Sequence, residues 1–267
     1  MRIIDTHCHV SQVWFEPVET LLFHLNRHGV AHAILTQLLG QADNTYQQQC
    51  VERYPGRFSS VVAVDPAAPD APQRLRALAA AGARGVRLRP DTRSTGDDPL
   101  ALWRAAADSG LVVSCVGPAA SFLTAQFREL LSTFPELPVL GEHLGGWGRP
   151  DCDGTPATLE GIKALAAHAN FNLKVPPLGQ LVKRGPSLPA SGRTLELAPA
   201  HAALELLGCY GPQRMCWASD FPVVSSREGY ANALAWSLEL FAQVPSSARE
   251  QVFSGTAQRL FHIAALS

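Results

Sequence analysis

Short apolar runs alternate with segments of helical periodicity along almost the whole chain. The runs are rich in Val, Leu and Ile, and they predict β-strands over residues 3–7, 33–36, 60–64, 85–88, 111–116, 139–142, 172–174 and 215–218. Between them, apolar residues recur three or four positions apart, which predicts helices over residues 18–27, 72–80, 100–107, 121–131, 156–167, 201–207 and 228–241. Residues 246–250 and 255–262 predict a helical extension at the C-terminal end.

Strands that alternate with helices favour a parallel sheet joined by right-handed crossovers. Runs that are apolar on both faces are typical of a closed barrel whose outside is covered by helices. We therefore predict an α/β fold, a (β/α)8 TIM barrel with a C-terminal helical extension, in a single domain over residues 1–267. An open, doubly wound sheet is the alternative, but the first βα turn carries no GxGxxG motif for a dinucleotide.

Composition and charge narrow the classes of partner. The 267 residues are 46% apolar and carry a net charge of -1, so no footprint for nucleic acid or anionic lipid is visible. No apolar run approaches the roughly 20 residues that span a bilayer, and no signal peptide is evident. The six cysteines form no CxxC pair and predict neither a zinc knuckle nor a disulfide framework. We expect a cytoplasmic protein that acts on a small molecule.

Polar residues collect where the predicted strands end, which is where a TIM barrel places its chemistry. The residues at these ends are His7 and His9, Arg87 and Arg89, His143, Lys174, and Asp220. Side chains alternate along a strand, so His7 and His9 are expected to share a face with Asp5, while Cys8 points away. Two such imidazoles supply half of a divalent-metal shell.

The cationic residues of this set suit an anionic substrate. Arg87 and Arg89 share a strand face, and the planar guanidinium fork matches a carboxylate, although either residue could instead pair with a barrel carboxylate such as Glu142. Lys174 either adds a second positive charge or extends to solvent. Glu142, as the neighbour of His143, is expected to face the opposite way and to be structural. Trp147 and Arg149 follow the sixth strand and are expected to line the pocket.

The longest irregular stretch covers residues 176–193, after the seventh strand, and is rich in Pro and Gly. It predicts either a lid over the site or a surface loop.

Three ordered motifs resemble the amidohydrolase-related family of the metal-dependent hydrolase superfamily. They are IIDTHCH at residues 3–9, HLGG at 143–146 and SDFP at 219–222, with YPGRF at 54–58 as further support. That family includes aminocarboxymuconate semialdehyde decarboxylase and pyrone dicarboxylate lactonase. The resemblance covers the chain from the first strand to the last helix.

The resemblance implies a ligand set and one departure from it. By position, His7, His9 and Asp220 match the residues that hold a divalent ion, usually zinc, and His143 matches the residue that polarises or positions the substrate. Val116 stands where the family has a fifth-strand histidine ligand, and neighbouring Cys115 is expected to face away. Two arrangements remain open. Either the ion is held without that ligand, or no metal is tightly bound, as in the lactonase branch.

These residues together predict a lactonase-like hydrolase of a small carboxylate-bearing cyclic ester. Asp220 is the expected general base, His7, His9 and His143 stabilise the oxyanion with or without zinc, and the carboxylate meets Arg87, Arg89, Lys174 and Trp147. Metal-dependent non-oxidative decarboxylation is the alternative within the family, and a catalytically silent barrel that binds a ligand is the alternative outside it. The family resemblance also suggests a homodimer.

Overall fold

Eight parallel strands form a ring in chain order in the computed structural model, which describes residues 1–149, 151–181 and 199–264. The strands are β1 (Ile3–Cys8), β2 (Val30–Thr36), β3 (Phe58–Val62), β4 (Gly85–Leu88), β5 (Val112–Cys115), β6 (Val139–Gly141), β7 (Phe171–Val175) and β8 (Met215–Trp217). Each strand pairs with the next one along the chain. With helices around the ring, this architecture confirms the predicted (β/α)8 barrel.

The helices lie in the connections and after the last strand. They are α1 (Val18–Arg27), α2 (Thr45–Arg53), α3 (Ala71–Ala80), α4 (Ala101–Asp108), α5 (Ala119–Phe122), α6 (Ala125–Thr133), α7 (Glu142–Gly145), α8 (Pro156–Ala164), α9 (Ala202–Tyr210), α10 (Tyr230–Leu240), α11 (Ser246–Glu250) and α12 (Thr256–Leu260). The sequence pattern did not predict α2, because this helix buries only Gln47 and Cys50 and so has no apolar stripe.

The lower layer of the barrel interior is apolar. Six strands contribute one side chain each, namely Ile4, Ile34, Val61, Val112, Leu140 and Cys216. Phe261 and α12 pack against them and close this end of the barrel. The outward-facing side chains of the strands join a second, larger cluster with the helices. Both faces of each strand are therefore covered, as the apolar runs predicted.

A bulge in β1 changes which of its side chains enter the barrel. The register against β2 shifts between Asp5 and Cys8, so one extra β1 residue is accommodated there. Asp5 accordingly accepts a hydrogen bond from Tyr230 Oη on α10 at 2.8 Å, outside the strand ring. The expectation that Asp5 shares a face with His7 was wrong, because strict alternation does not survive a bulge.

Side chains complete the seam between β1 and β8. Within the described residues, these strand ends pair through one isolated β-bridge, between Cys8 and Phe221. Below it, Thr6 Oγ1 donates to the Trp217 carbonyl at 2.7 Å, and the Ser219 backbone N–H donates to Asp5 Oδ1 at 2.9 Å. The bulged strand is thus tied to β8 by hydrogen bonds that a regular ladder would otherwise supply.

Within the described ranges, no helix has the length and apolarity needed to cross a membrane. The possible lid at 176–193 lies outside the described residues from position 182 onwards. Its first part forms a short 3-10 turn at Leu178–Gln180.

Candidate active site

A buried carboxylate faces two imidazoles at the C-terminal rim of the barrel. Asp220 follows β8 in a left-handed conformation, with φ of 55°, and its side chain is buried. Its Oδ1 lies 3.6 Å from His7 Nε2 and 3.8 Å from His9 Nε2. The structure therefore brings together the first-strand histidines and the eighth-strand aspartate, which are more than 200 positions apart in the sequence.

A backbone turn after β6 brings two consecutive residues into the same cavity. His143 and Leu144 have left-handed conformations, with φ of 52° and 55°, so the strand alternation ends at Gly141. As a result, Glu142 and His143 both line the cavity beside His7, Lys174 and Asp220. The expectation that Glu142 faces away from His143 was wrong, because the left-handed turn at His143 ends the strand alternation there and directs both side chains into one cavity.

Hydrogen bonds fix the orientation of two of the three imidazoles. His9 Nδ1 lies 2.6 Å from the Thr36 carbonyl oxygen, and His143 Nδ1 lies 3.2 Å from Gln180 Oε1. Both partners are acceptors, so Nδ1 carries the proton in each neutral ring. His9 and His143 consequently present an Nε2 lone pair, which can bind a cation or accept a proton.

His7 has a different partner. Its Nδ1 lies 2.9 Å from the Lys174 ammonium, which also donates to Ser114 Oγ at 2.7 Å. A charged ammonium can only donate, so this contact places the imidazole proton of His7 on Nε2. Among the described residues, the buried Nε2 of His7 has no hydrogen-bond partner. The His7 ring therefore directs an unsatisfied nitrogen into the cavity.

Glu142 is the centre of a buried ionic cluster. Arg87 donates to it from Nε at 3.1 Å and from Nη2 at 2.7 Å, and Ser114 Oγ donates at 2.7 Å. Lys174 Nζ lies 3.9 Å from Glu142 Oε1. Burial alone would raise the pKa of Glu142, but the charges of Arg87 and Lys174 outweigh it and hold that pKa well below its usual value. Two cations against one carboxylate leave the cluster with one excess positive charge.

Burial shifts the pKa of the central groups in opposite directions. It raises the pKa of Asp220 to about 7, against the opposing effect of Arg227. It lowers the pKa of His9 to about 3 and that of His143 to about 4. Burial, with the adjacent Lys174 charge, also lowers the pKa of His7. At neutral pH the imidazoles are therefore uncharged, and Asp220 is close to its midpoint.

Other residues singled out in the sequence lie further from this centre. Arg89 follows the end of β4 and is exposed. Trp147 packs against the edge of the large hydrophobic cluster, and Arg149 pairs with Asp151 at 2.8 Å. Val116 is buried just beyond β5 and supplies no ligand atom.

The comparison with protein families agrees with this geometry. A family model described as amidohydrolase matches residues 4–263. The chain belongs to the amidohydrolase family. Members of this family are enzymes, either hydrolases or decarboxylases. No curated protein matches this amidohydrolase in sequence.

Solved structures share the fold over nearly the whole chain. A presumed 2-pyrone-4,6-dicarboxylic acid hydrolase from Pseudomonas putida is 24% identical, with a TM-score of 0.77 over 99% of both chains. A Burkholderia multivorans amidohydrolase with bound zinc is 16% identical, with a TM-score of 0.76 over 98% of this chain and 100% of its own. The 5-carboxyvanillate decarboxylase from Sphingomonas paucimobilis is 16% identical, with a TM-score of 0.65 over 98% and 99%. Hydrolases and decarboxylases thus share this barrel.

The residues of this amidohydrolase fit a divalent metal ion. Ligand atoms of His7, His143 and Asp220 all lie within 4.8 Å of one another. The unsatisfied Nε2 of His7 and the lone pair of His143 are the donor types that zinc accepts, alongside a carboxylate oxygen. The sequence predicted His9 as the second imidazole ligand, whereas this group contains His143. An ion on His7 Nε2 would displace the proton that Lys174 places there.

Sequence reasoning did not find all of the residues that shape the site. Ser114 joins Glu142 to Lys174, Gln180 orients His143, and Arg227 Nη2 lies 3.9 Å from Asp220 Oδ2. Ser114 could have been found, because it lies on β5 two positions before Val116 and therefore on the same face. Gln180 and Arg227 lie in irregular loops, where no periodicity indicates direction.

Proposed function

We propose that this amidohydrolase hydrolyses a small cyclic ester that bears a carboxylate, as a lactonase does. The observation that carries the proposal is the position of Asp220, whose Oδ1 faces His7 and His9 at 3.6 and 3.8 Å. A buried carboxylate with a pKa of about 7 is matched to proton transfer at neutral pH. We assign the role of general base to Asp220 because of this position and this pKa.

The proposed reaction balances without an oxidant or a reductant. Asp220 takes a proton from water as the water oxygen attacks the ester carbonyl carbon and the carbonyl electron pair moves onto its oxygen. The Nε2–H of His7 donates to this oxyanion, because Lys174 directs the His7 proton to that nitrogen. The ring C–O bond then breaks, and the departing ring oxygen takes the proton from Asp220. The product is an open-chain hydroxy acid or its keto form.

The proposal has a second form, in which a divalent metal ion, zinc by preference, would replace the Nε2 proton of His7 and with it the hydrogen bond from His7 to the oxyanion. His7, His143 and Asp220 would hold the ion, with His9 directed at the same carboxylate. When bound, the ion makes hydroxide available at neutral pH by lowering the pKa of its water from 15.7 to about 7.

The charges around the cavity support an anionic substrate. The cluster of Arg87, Lys174 and Glu142 has one excess positive charge in a buried setting, where electrostatic attraction is little screened. We propose that this charge and the exposed Arg89 attract the substrate carboxylate, with Trp147 at the edge of the pocket. Arg87 acts through the cluster, since two of its nitrogens already bind Glu142.

Non-oxidative decarboxylation is the second candidate. The three-ligand group of His7, His143 and Asp220 favours it, because an ion there could polarise a substrate group as carbon dioxide leaves. The barrel shared with a carboxyvanillate decarboxylase is compatible with this reaction. A barrel that binds its ligand without turnover is the remaining possibility.

One experiment separates these candidates. Protein purified without added metal is analysed for metal content and assayed with carboxylate-bearing lactones and with aromatic carboxylic acids. We expect opening of at least one lactone and a loss of about 10² in kcat on Asp220→Asn. Release of carbon dioxide without lactone opening would replace the proposal by decarboxylation, and ligand binding without any turnover would replace it by a binding role. Activity with less than about a tenth of an equivalent of metal would remove the metal from either reaction.

A further inference from the structure

The loop after β8 contacts the turn after β7 through one buried carboxylate. The side chain of Glu228 is 2% exposed, and its Oε1 accepts a hydrogen bond from the Gly179 backbone N–H at 2.8 Å. Its other oxygen lies 3.4 Å from Arg227 Nε. A buried carboxylate is costly unless it is paired and hydrogen-bonded, so the hydrogen bond to Gly179, the contact that crosses between the loops, holds them together.

The absence of a side chain at position 179 lets the Glu228 carboxylate lie directly against the backbone. A Cβ built on Gly179 would overlap the Glu228 carboxylate carbon and both of its oxygens. The close approach of Glu228 to the backbone is therefore possible only with glycine at this position.

The turn held by Glu228 carries the residue that orients His143. Gln180 follows Gly179 directly, and its Oε1 lies 3.2 Å from His143 Nδ1. The amide oxygen accepts the Nδ1 proton and leaves the Nε2 lone pair facing the cavity. Glu228, Gly179 and Gln180 thus form a continuous set of contacts from the β8 loop to the imidazole of His143, in the turn after β6.

We infer that Glu228 and Gln180 are positioning residues that select the Nδ1–H tautomer of His143. Partners of this kind fix the ring orientation and the tautomer of an active-site histidine. The link to catalysis rests on the proposed function, which assigns His143 to the site. The tautomer itself depends only on the contacts, so it is measured without turnover.

The test is the nitrogen-15 spectrum of the histidine side chains at pH 8, with His143 assigned by its loss in His143→Gln. The protonated and lone-pair nitrogens of a neutral imidazole have well-separated shifts. We expect the native protein to have its proton on Nδ1. Gln180→Met, which keeps the chain length but removes the acceptor, is expected to move the proton toward Nε2. Glu228→Ala and Gly179→Ala are expected to move it in the same direction by a smaller amount.

Matched variants isolate the cause. Gln180→Glu and Glu228→Gln both keep an acceptor oxygen and are expected to retain the native tautomer, as is Glu250→Ala on the exposed surface. An Nε2–H native ring, or an unchanged tautomer in Gln180→Met, would overturn the inference. An unchanged tautomer in both Glu228→Ala and Gly179→Ala would overturn the part assigned to Glu228. Gln180→Met removes no buried backbone contact, so it stays decisive if Glu228→Ala does not fold.

Kinetics provide the second measurement once a substrate is identified. Gln180→Met is expected to lower kcat about tenfold with KM changed less than about twofold, and Gln180→Glu is expected to restore kcat. A native tautomer in an inactive protein would leave the positioning intact and reject the proposed function. A displaced tautomer with unchanged kcat would remove His143 from the reaction.

Discussion

The lower and upper layers of the barrel interior lie on the same strands but are built from opposite chemistry. Leu140 and Val112 lie in the apolar lower layer, and two residues further along their strands are Glu142 and Ser114. Strand periodicity places both members of each pair on the inner face. The lower layer is stabilised by packing, whereas the upper layer depends on ion pairs and hydrogen bonds.

This difference shows how the barrel separates stability from reactivity. In the lower layer a side chain can be shortened at the cost of a cavity. In the upper layer every buried charge depends on a named partner, so losing one group leaves another unpaired. Four substitutions or conditions test the contrast, in order of expected effect.

The largest effect is expected from removing Glu142. Glu142→Ala leaves the buried Arg87 and Lys174 without their carboxylate and should lower the free energy of unfolding by about 3–5 kcal/mol. Urea denaturation at pH 7.5 measures this loss. Leu140→Ala, one step below on β6, is the control for packing and should cost about 2–5 kcal/mol. The additional change Arg87→Met should recover stability in Glu142→Ala but not in Leu140→Ala, and equal responses would contradict the contrast.

Asp220→Asn is expected to lower activity and to raise stability. Loss of the base is expected to lower kcat by about 10², which corresponds to about 2.7 kcal/mol in the activation barrier. Burial raises the pKa of Asp220, so its ionised form is unfavourable in the folded state at pH 8. In protein freed of metal by a chelator, the variant should therefore unfold at a higher urea concentration than the native chain. A urea midpoint lower than that of the native chain would contradict the conclusion that the ionised Asp220 carboxylate destabilises the folded state.

The histidines of the upper layer should make the fold sensitive to acid. Burial lowers the pKa of His9 to about 3 and of His143 to about 4, so the unfolded chain binds their protons first as the pH falls below about 6.5. These two groups do not destabilise the folded state above that pH, and stability is lost progressively down to about pH 4 for His143 and about pH 3 for His9. Each contributes a slope of at most about 1.4 kcal/mol per pH unit.

Asp220 opposes this trend. Its raised pKa means that the folded state takes up a proton between about pH 7 and 4, which offsets one histidine over that range. Urea midpoints at pH 5 and 7.5 in chelator measure the balance, and the native chain should be less stable at pH 5. The drop should shrink in His9→Gln, and a midpoint that rises toward pH 5 would show that Asp220 dominates.

The smallest effect is expected at the rim. Arg89 is exposed beyond the end of β4, so Arg89→Ala should raise KM for an anionic substrate about two- to fivefold and leave the unfolding free energy within about 0.5 kcal/mol. Arg87→Ala should instead lower stability, because it leaves Glu142 with one cation fewer. A KM unchanged by Arg89→Ala would remove that residue from substrate binding.

The elements of the barrel were more predictable from sequence than the directions of its site residues. The strand at Gly85–Leu88 and the helix at Val18–Arg27 have the predicted bounds, because burial imposes a regular apolar pattern on both. The directions of Asp5 relative to His7 and of His143 relative to Glu142 could not be predicted in the same way. A bulge and a left-handed turn, both stabilised by contacts distant in sequence, reverse the side-chain direction that alternation predicts.

The side-chain seam between the first and last strands also bears on when the site can form. Ser219 and Asp5, which join there, are separated by 214 positions, and Tyr230 contacts Asp5 from still later in the chain. During synthesis the paired imidazoles therefore leave the ribosome long before their carboxylate partner exists. Contacts of such long range slow folding and leave partly built intermediates exposed. We expect chains truncated before β8 to be inactive and to need chaperone protection. Activity should appear only in chains that include β8 and Asp220.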